Sequence, residues 1–164
     1  NIKEIFASMD GEYEGESIDE ANKTKPQKNT NDKKDNKTSA IKDVDAEESL
    51  LFWGSVCIAS IESGLQSEEE DVISSFIDSE ACLLELNRLK LKDDPYKEAY
   101  KHLTNGFKQY HELAQPKKCA IIQKLILVAR ADKLVSEKEK NFIEDVCQNI
   151  GVPESFYQKI LQYL

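Results

Sequence analysis

The sequence predicts an all-α protein, a bundle of about seven helices that contains a duplicated helix pair. Three observations predict it. From Glu47 onward, apolar residues recur at three- and four-residue steps. No segment alternates apolar with polar residues in the manner of a half-buried strand. An offset of 69 residues superposes one long helix, turn and second helix on another such stretch near the C-terminus.

The first helix spans about residues 47–64, with Leu50, Trp53, Val56, Cys57 and Ile61 along one stripe. Phe52, Ile58 and Ala59 widen that stripe, which predicts a central helix rather than a surface one. The second runs over about 67–79 with Val72, Ile73, Phe76 and Ile77 on one face, and the third over about 80–91 with Leu83, Leu84, Leu86 and Leu89. Pro95 suits the first position of a fourth helix, where a missing N–H costs nothing. Along that helix Tyr96, Ala99, Tyr100, Leu103, Phe107, Tyr110 and Ala114 recur at helical steps, and its aromatic series is expected in the core together with Trp53. Pro116 opens a fifth helix, with Cys119, Ile122, Ile126 and Ala129 on one stripe. A sixth runs over about 137–149 on Phe142, Ile143 and Val146. Gly151 suits its C-terminal cap, and Pro153 opens a seventh helix using Phe156, Ile160 and Leu164.

The chain divides into three parts. Residues 1–20 read as a short helix or the end of a preceding domain. Residues 21–46 read as a linker whose stretch 21–42 holds seven lysines and few apolar side chains, too little to offset the entropy of ordering it. Residues 47–164 form the helical domain. The chain begins at Asn1 rather than Met, which suggests a processed protein or the C-terminal part of a larger one. No run approaches the roughly 18 apolar residues of a membrane-spanning helix. The longest candidate, Ala120 to Ala131, is broken by Gln123, Lys124 and Arg130. A cytoplasmic location, or the cytoplasmic face of a membrane for a larger parent, is expected. Cys57, Cys82, Cys119 and Cys147 lie far apart without a C-x-x-C pair, so four reduced, buried thiols are expected.

Charge is distributed unevenly. The net charge is −9, yet residues 43–87 hold twelve acidic residues and no Lys or Arg, while residues 88–164 carry a net +4. A nucleic-acid partner is excluded, because phosphate neutralisation needs clustered cations. A basic protein partner, with salt-sensitive association, is the expectation for the acidic half.

In the repeat, Leu65 falls on Leu134, Ser67 on Ser136, Glu68 on Glu137 and Glu70 on Glu139. Each stretch reads as a helix, a short turn, and Ser-x-x-Glu opening the next helix. The segment Leu127-Val128-Ala129-Arg130-Ala131-Asp132-Lys133-Leu134-Val135-Ser136-Glu137-Lys138-Glu139 resembles the hallmark of TerB-like domains, the tellurite-resistance family. That hallmark is a helix ending in Ala-x-Ala-Asp-Gly, an apolar residue, then Ser/Thr-x-x-Glu. Lys133 stands where glycine is usual, and Ser63 replaces the aspartate in the first repeat. The resemblance covers about residues 47–164 and implies a helical bundle with an acidic surface, found alone or appended to larger proteins, with metal binding suggested for its acidic residues. A shorter stretch, Ile2 to Gly15, resembles the tail of HtpX-type zinc metallopeptidase domains and implies a membrane-linked parent. The catalytic His-Glu-x-x-His of that family is absent from this chain.

Two readings fit the acidic residues at the repeat turns. In one, Ser136 and Glu139 form a capping box, each side chain bonding the other's backbone N–H, and the remaining acids favour the helix dipole. In the other, Asp132, Glu137, Glu139, Glu62 and Glu68, with Ser63, hold a divalent cation (calcium, magnesium or zinc) between the two turns through hard oxygen ligands. His102 and His111 are nine residues apart, lack an i, i+4 relation and are expected at the surface. No nucleophile motif or Cys–His pair is present, so a non-catalytic interaction or regulatory domain is expected.

Overall fold

The computed structural model describes residues 44–131 and 134–162. The N-terminal stretch that resembles a peptidase tail, the Lys-rich segment 21–42, Asp132 and Lys133 lie outside the described residues. Within them the chain forms seven helices and no strand: α1 (Ala46–Ser60), α2 (Ser67–Phe76), α3 (Glu80–Leu89), α4 (Pro95–His111), α5 (Gln115–Ala129), α6 (Glu137–Ile150) and α7 (Glu154–Leu161).

Helix α1 is the central element, as the width of its apolar stripe predicts. Every residue from Leu50 to Ser60 is buried. It packs chiefly against α4 and α5, which in turn contact α6. Helix α2 lies on α1 and α5, and α7 closes on α6. The core joins Phe52, Trp53 and Val56 of α1 to Leu103 and Tyr110 of α4, Ile122, Leu125 and Ile126 of α5, and Phe142, Ile143 and Ile150 of α6. All four cysteines are free and buried, and burial raises the thiols of Cys57 and Cys147 far above the ordinary value.

Helix α1 ends at Ser60, earlier than the expected 64. The Ser63-Gly64 pair is a poor helix former, and the turn has its own bonding: the Gln66 side-chain amide donates to the Gly64 carbonyl at 3.1 Å and to Ser63 Oγ at 3.5 Å. The other helix starts follow local cap chemistry. Asp45 accepts from Glu48 N at 2.8 Å, Ser79 from Cys82 N at 3.4 Å, and Asp94 from Lys97 N at 3.1 Å.

The duplication is present, but its register changes at the turn. Helix ends Ser60 and Ala129 keep the offset of 69, whereas starts Ser67 and Glu137 differ by one residue more. The second turn is therefore one residue longer, and beyond it Glu69 matches Glu139, Val72 matches Phe142, Ile73 matches Ile143 and Phe76 matches Val146. Glu69 and Glu139, not Glu70 and Glu139, are the structural mates, and both are buried.

At the junction of α4, α5 and α6, Gly151 caps α6 with φ 79°, a left-handed conformation that L side chains strain to adopt. A Cβ there would lie 2.7 Å from His111 Nε2. Gln115 Nε2 donates to the Gly151 carbonyl at 2.9 Å. The buried Lys118 donates to the His111 carbonyl at 2.6 Å, placing a cation at the C-terminal end of α4. Gly151→Ala is expected to cost about 1–2 kcal/mol, the left-handed penalty together with displacement of His111, read as a lower urea midpoint at unchanged m-value.

Candidate functional site

The capping-box reading of Glu139 holds in the structure. Ser136 Oγ accepts from Glu139 N at 3.2 Å, and the Glu139 carboxylate accepts from Ser136 N at 3.4 Å. In α2 the corresponding arm comes from Glu69, which accepts from Gln66 N at 3.3 Å, so Gln66 rather than Ser67 is the N-cap. Glu137 is exposed and pairs with Lys140 at 3.3 Å. Glu68 is exposed and accepts from Ser67 Oγ at 3.2 Å, and Glu62 is exposed in the turn after α1. Asp132 falls outside the described residues. Among the described residues no group of three or more His, Cys, Asp or Glu side chains is arranged to hold a metal ion.

The acidic window forms a different feature, a groove between the start of α1, the end of α2 and the middle of α5. Its floor is apolar, made by Leu51, Phe76, Ala120 and Ile121, and its rim carries Asp45, Glu47, Glu48 and Asp78, with Lys124 on the far wall. The cavity holds about 190 Å³. Helix-start chemistry gathers the first three carboxylates, because acids in a first turn complement the helix dipole. Glu48 also accepts from Ser79 N at 3.2 Å and so fixes the α2–α3 connection. Glu47 reaches Lys117 of α5 at 3.5 Å. The Lys124 ammonium lies 6.0 Å from the centroid of the Phe76 ring. Asp78 is exposed, and no hydrogen bond or ion pair of its side chain occurs among the described residues.

Part of the remaining acidity is paired within the fold. Glu70 pairs with Lys90 at 2.7 Å. Glu85 is buried, and Arg88 Nε donates to both of its carboxylate oxygens at 3.1 Å while Nη2 of Arg88 reaches Glu85 and Glu98 of α4. The cations of residues 88–164 thus neutralise part of the first half within the fold, and on the groove rim Asp78 keeps an exposed carboxylate.

The histidines divide. His111 is exposed as expected, but His102 is half-buried and stacks on Trp53, with ring centroids 4.3 Å apart and planes 13° from parallel. Burial pushes His102 below the usual imidazole value. The aromatic series of α4 divides as well. Tyr110 is in the core, its hydroxyl 2.8 Å from Ser49 Oγ, whereas Tyr96 and Tyr100 line a second cleft at the surface.

A seven-helix bundle built on a duplicated helix–turn–helix, its acidic second helices opened by capping boxes, defines an all-helical module. Residues 55–162 match the family described as tellurite resistance protein TerB, and the chain belongs to that family. No curated protein and no solved structure matches the chain. No helix among the described residues is long and apolar enough to cross a membrane.

Proposed function

We propose that this TerB domain is a non-catalytic interaction module that binds a basic, partly apolar segment of a protein partner in the groove between α1, α2 and α5. One observation carries the reading: four carboxylates, Asp45, Glu47, Glu48 and Asp78, ring an apolar floor of Leu51, Phe76 and Ile121. An apolar floor rewards burial of a partner side chain, at about 25 cal/mol per Å² removed from water. The acidic rim selects a cationic partner and speeds its approach.

Fluorescence anisotropy with a labelled, Lys-rich amphipathic peptide tests it. Raising salt from about 50 to about 300 mM is expected to weaken binding roughly tenfold, since the rim is exposed to screening. The Glu47→Gln, Asp78→Asn double variant is expected to lose about three- to tenfold in affinity, each exposed pair contributing up to about 1 kcal/mol. Asp45 and Glu48 stay intact because they cap α1 and hold Ser79. Affinity that is indifferent to both salt and the double variant rules the groove out.

A further inference from the structure

A second cleft lies at the other end of α1, beside Ile61, and the groove above does not involve it. Tyr96 and Tyr100 of α4 form one wall, their rings stacked with centroids 5.5 Å apart and planes 20° from parallel. Phe142, buried in the core, gives the floor, and Lys138, Asn141 and Asp145 of α6 form the opposite rim around a cavity of about 230 Å³. Tyr100 keeps 40% of its surface exposed, an unusual share for a ring so placed. The Asp145 side chain is exposed and makes no ion pair or hydrogen bond among the described residues; its hydrogen bond to Asn149 uses the backbone carbonyl.

We propose that this cleft receives the guanidinium of an arginine on a protein partner, paired with the Asp145 carboxylate and laid against the Tyr96 and Tyr100 rings. Three features select arginine. A tyrosine ring attracts a cation to its face. A planar guanidinium stacks on a ring while its edge meets a carboxylate in two parallel hydrogen bonds, and an ammonium does neither. The side-chain carbonyl of Asn141, one turn before Asp145, supplies a further acceptor on the same rim. Burial pushes the Tyr96 phenol up to about 12, so its ring stays in the neutral form that a cation meets face-on. Lys138 opposes a cation but stands two helical turns from Asp145, about 10 Å along the axis, so the guanidinium belongs at the Asp145 end.

The test is a titration of the ¹⁵N-labelled protein with a capped tripeptide whose central residue is arginine, beside versions with citrulline and with lysine. The arginine peptide is expected to shift the amides of Tyr100, Asn141 and Asp145 saturably, and the citrulline and lysine peptides to bind at least about fivefold more weakly. Asp145→Asn is expected to cost about tenfold and Tyr100→Ala about fivefold. Lys138→Ala is expected to improve binding about twofold by removing a like charge. All three positions are exposed, and the same spectra report that each variant is folded. Equal binding of citrulline or lysine, no loss in Asp145→Asn, or shifts centred on Asp45 and Glu47 instead, overturns the assignment.

Discussion

Arg88→Met is expected to destabilise the domain by about 2–3 kcal/mol, more than any other single change at a charged position described here. Glu85 is 3% exposed, and Arg88 meets both oxygens of its carboxylate while also reaching Glu98. Removing the guanidinium strands a buried carboxylate, and breaking a buried pair from one side costs about 3–5 kcal/mol. Arg88 is itself 40% exposed, so water reaches the site and the loss falls to the bottom of that range or below it. The arm to the half-exposed Glu98 adds less than about 1 kcal/mol. Glu85→Gln in the Arg88→Met background is expected to recover about half of the loss, because a neutral amide is cheaper to bury than an orphaned charge. Urea unfolding at constant m-value measures both. A single-variant loss under about 1 kcal/mol, or no recovery in the double variant, rejects this account of the pair. The consequence is architectural: the Glu85–Arg88–Glu98 cluster clamps α3 to α4 across residues 90–94.

The helices were legible in the sequence because their determinants are local. Asp94, Ser136, Pro95 and Gly151 set the ends of α4 and α6 through side-chain caps, a fixed φ and a left-handed residue, all readable within four positions. The repeat was legible too, but not its register. With Glu68, Glu69 and Glu70 in succession, both Gln66-x-x-Glu69 and Ser67-x-x-Glu70 are open, and local cap preference favours the serine. Burial decides between them, since only the first aligns Val72, Ile73 and Phe76 with Phe142, Ile143 and Val146. The functional surface was least legible. Tyr96 and Tyr100 share the helical spacing of core residues such as Leu103 and Tyr110, and periodicity does not reveal that Tyr96 is only half-buried and Tyr100 exposed. The acidic window did mark Asp45, Glu47, Glu48 and Asp78, yet sequence proximity drew attention to the repeat turns. There Glu139 is occupied by its capping box, Glu137 faces Lys140, and Glu62 and Glu68 point to solvent. Net charge also concealed complementarity, because Glu47, Glu70 and Glu85 spend their charge on Lys117, Lys90 and Arg88 of the other half.

Gly54→Ile is expected to cost about 3 kcal/mol or more, whereas Gly54→Ala is expected to cost no more than about 1 kcal/mol. Gly54 lies in the middle of α1, where glycine is otherwise a liability of roughly 0.5–1 kcal/mol relative to alanine. What requires it is the approach of α5: a Cβ at position 54 would stand 3.0 Å from Leu125 Cδ2 and 3.2 Å from Cδ1. For alanine, a small rotation of one leucine relieves the contact, and the gain in helix propensity offsets part of the strain. For isoleucine, the added branches must displace Leu125 altogether or push α1 from α5, with α4 one of the two helices α1 chiefly packs against. Overpacking of that kind costs about 1–3 kcal/mol when neighbours can yield, and Phe52, Ile122 and Ile126 of the same two helices are themselves fully buried, which leaves little room to yield. The compensating change identifies the cause. Leu125→Ala alone is expected to cost about 2–5 kcal/mol through the cavity it leaves. The Gly54→Ile, Leu125→Ala double variant is expected to be more stable than the sum of the two losses by at least about 1 kcal/mol, because each fills or empties the space of the other. Strict additivity shows that the two side chains do not compete for one site, and with it the close α1–α5 approach ceases to explain the glycine.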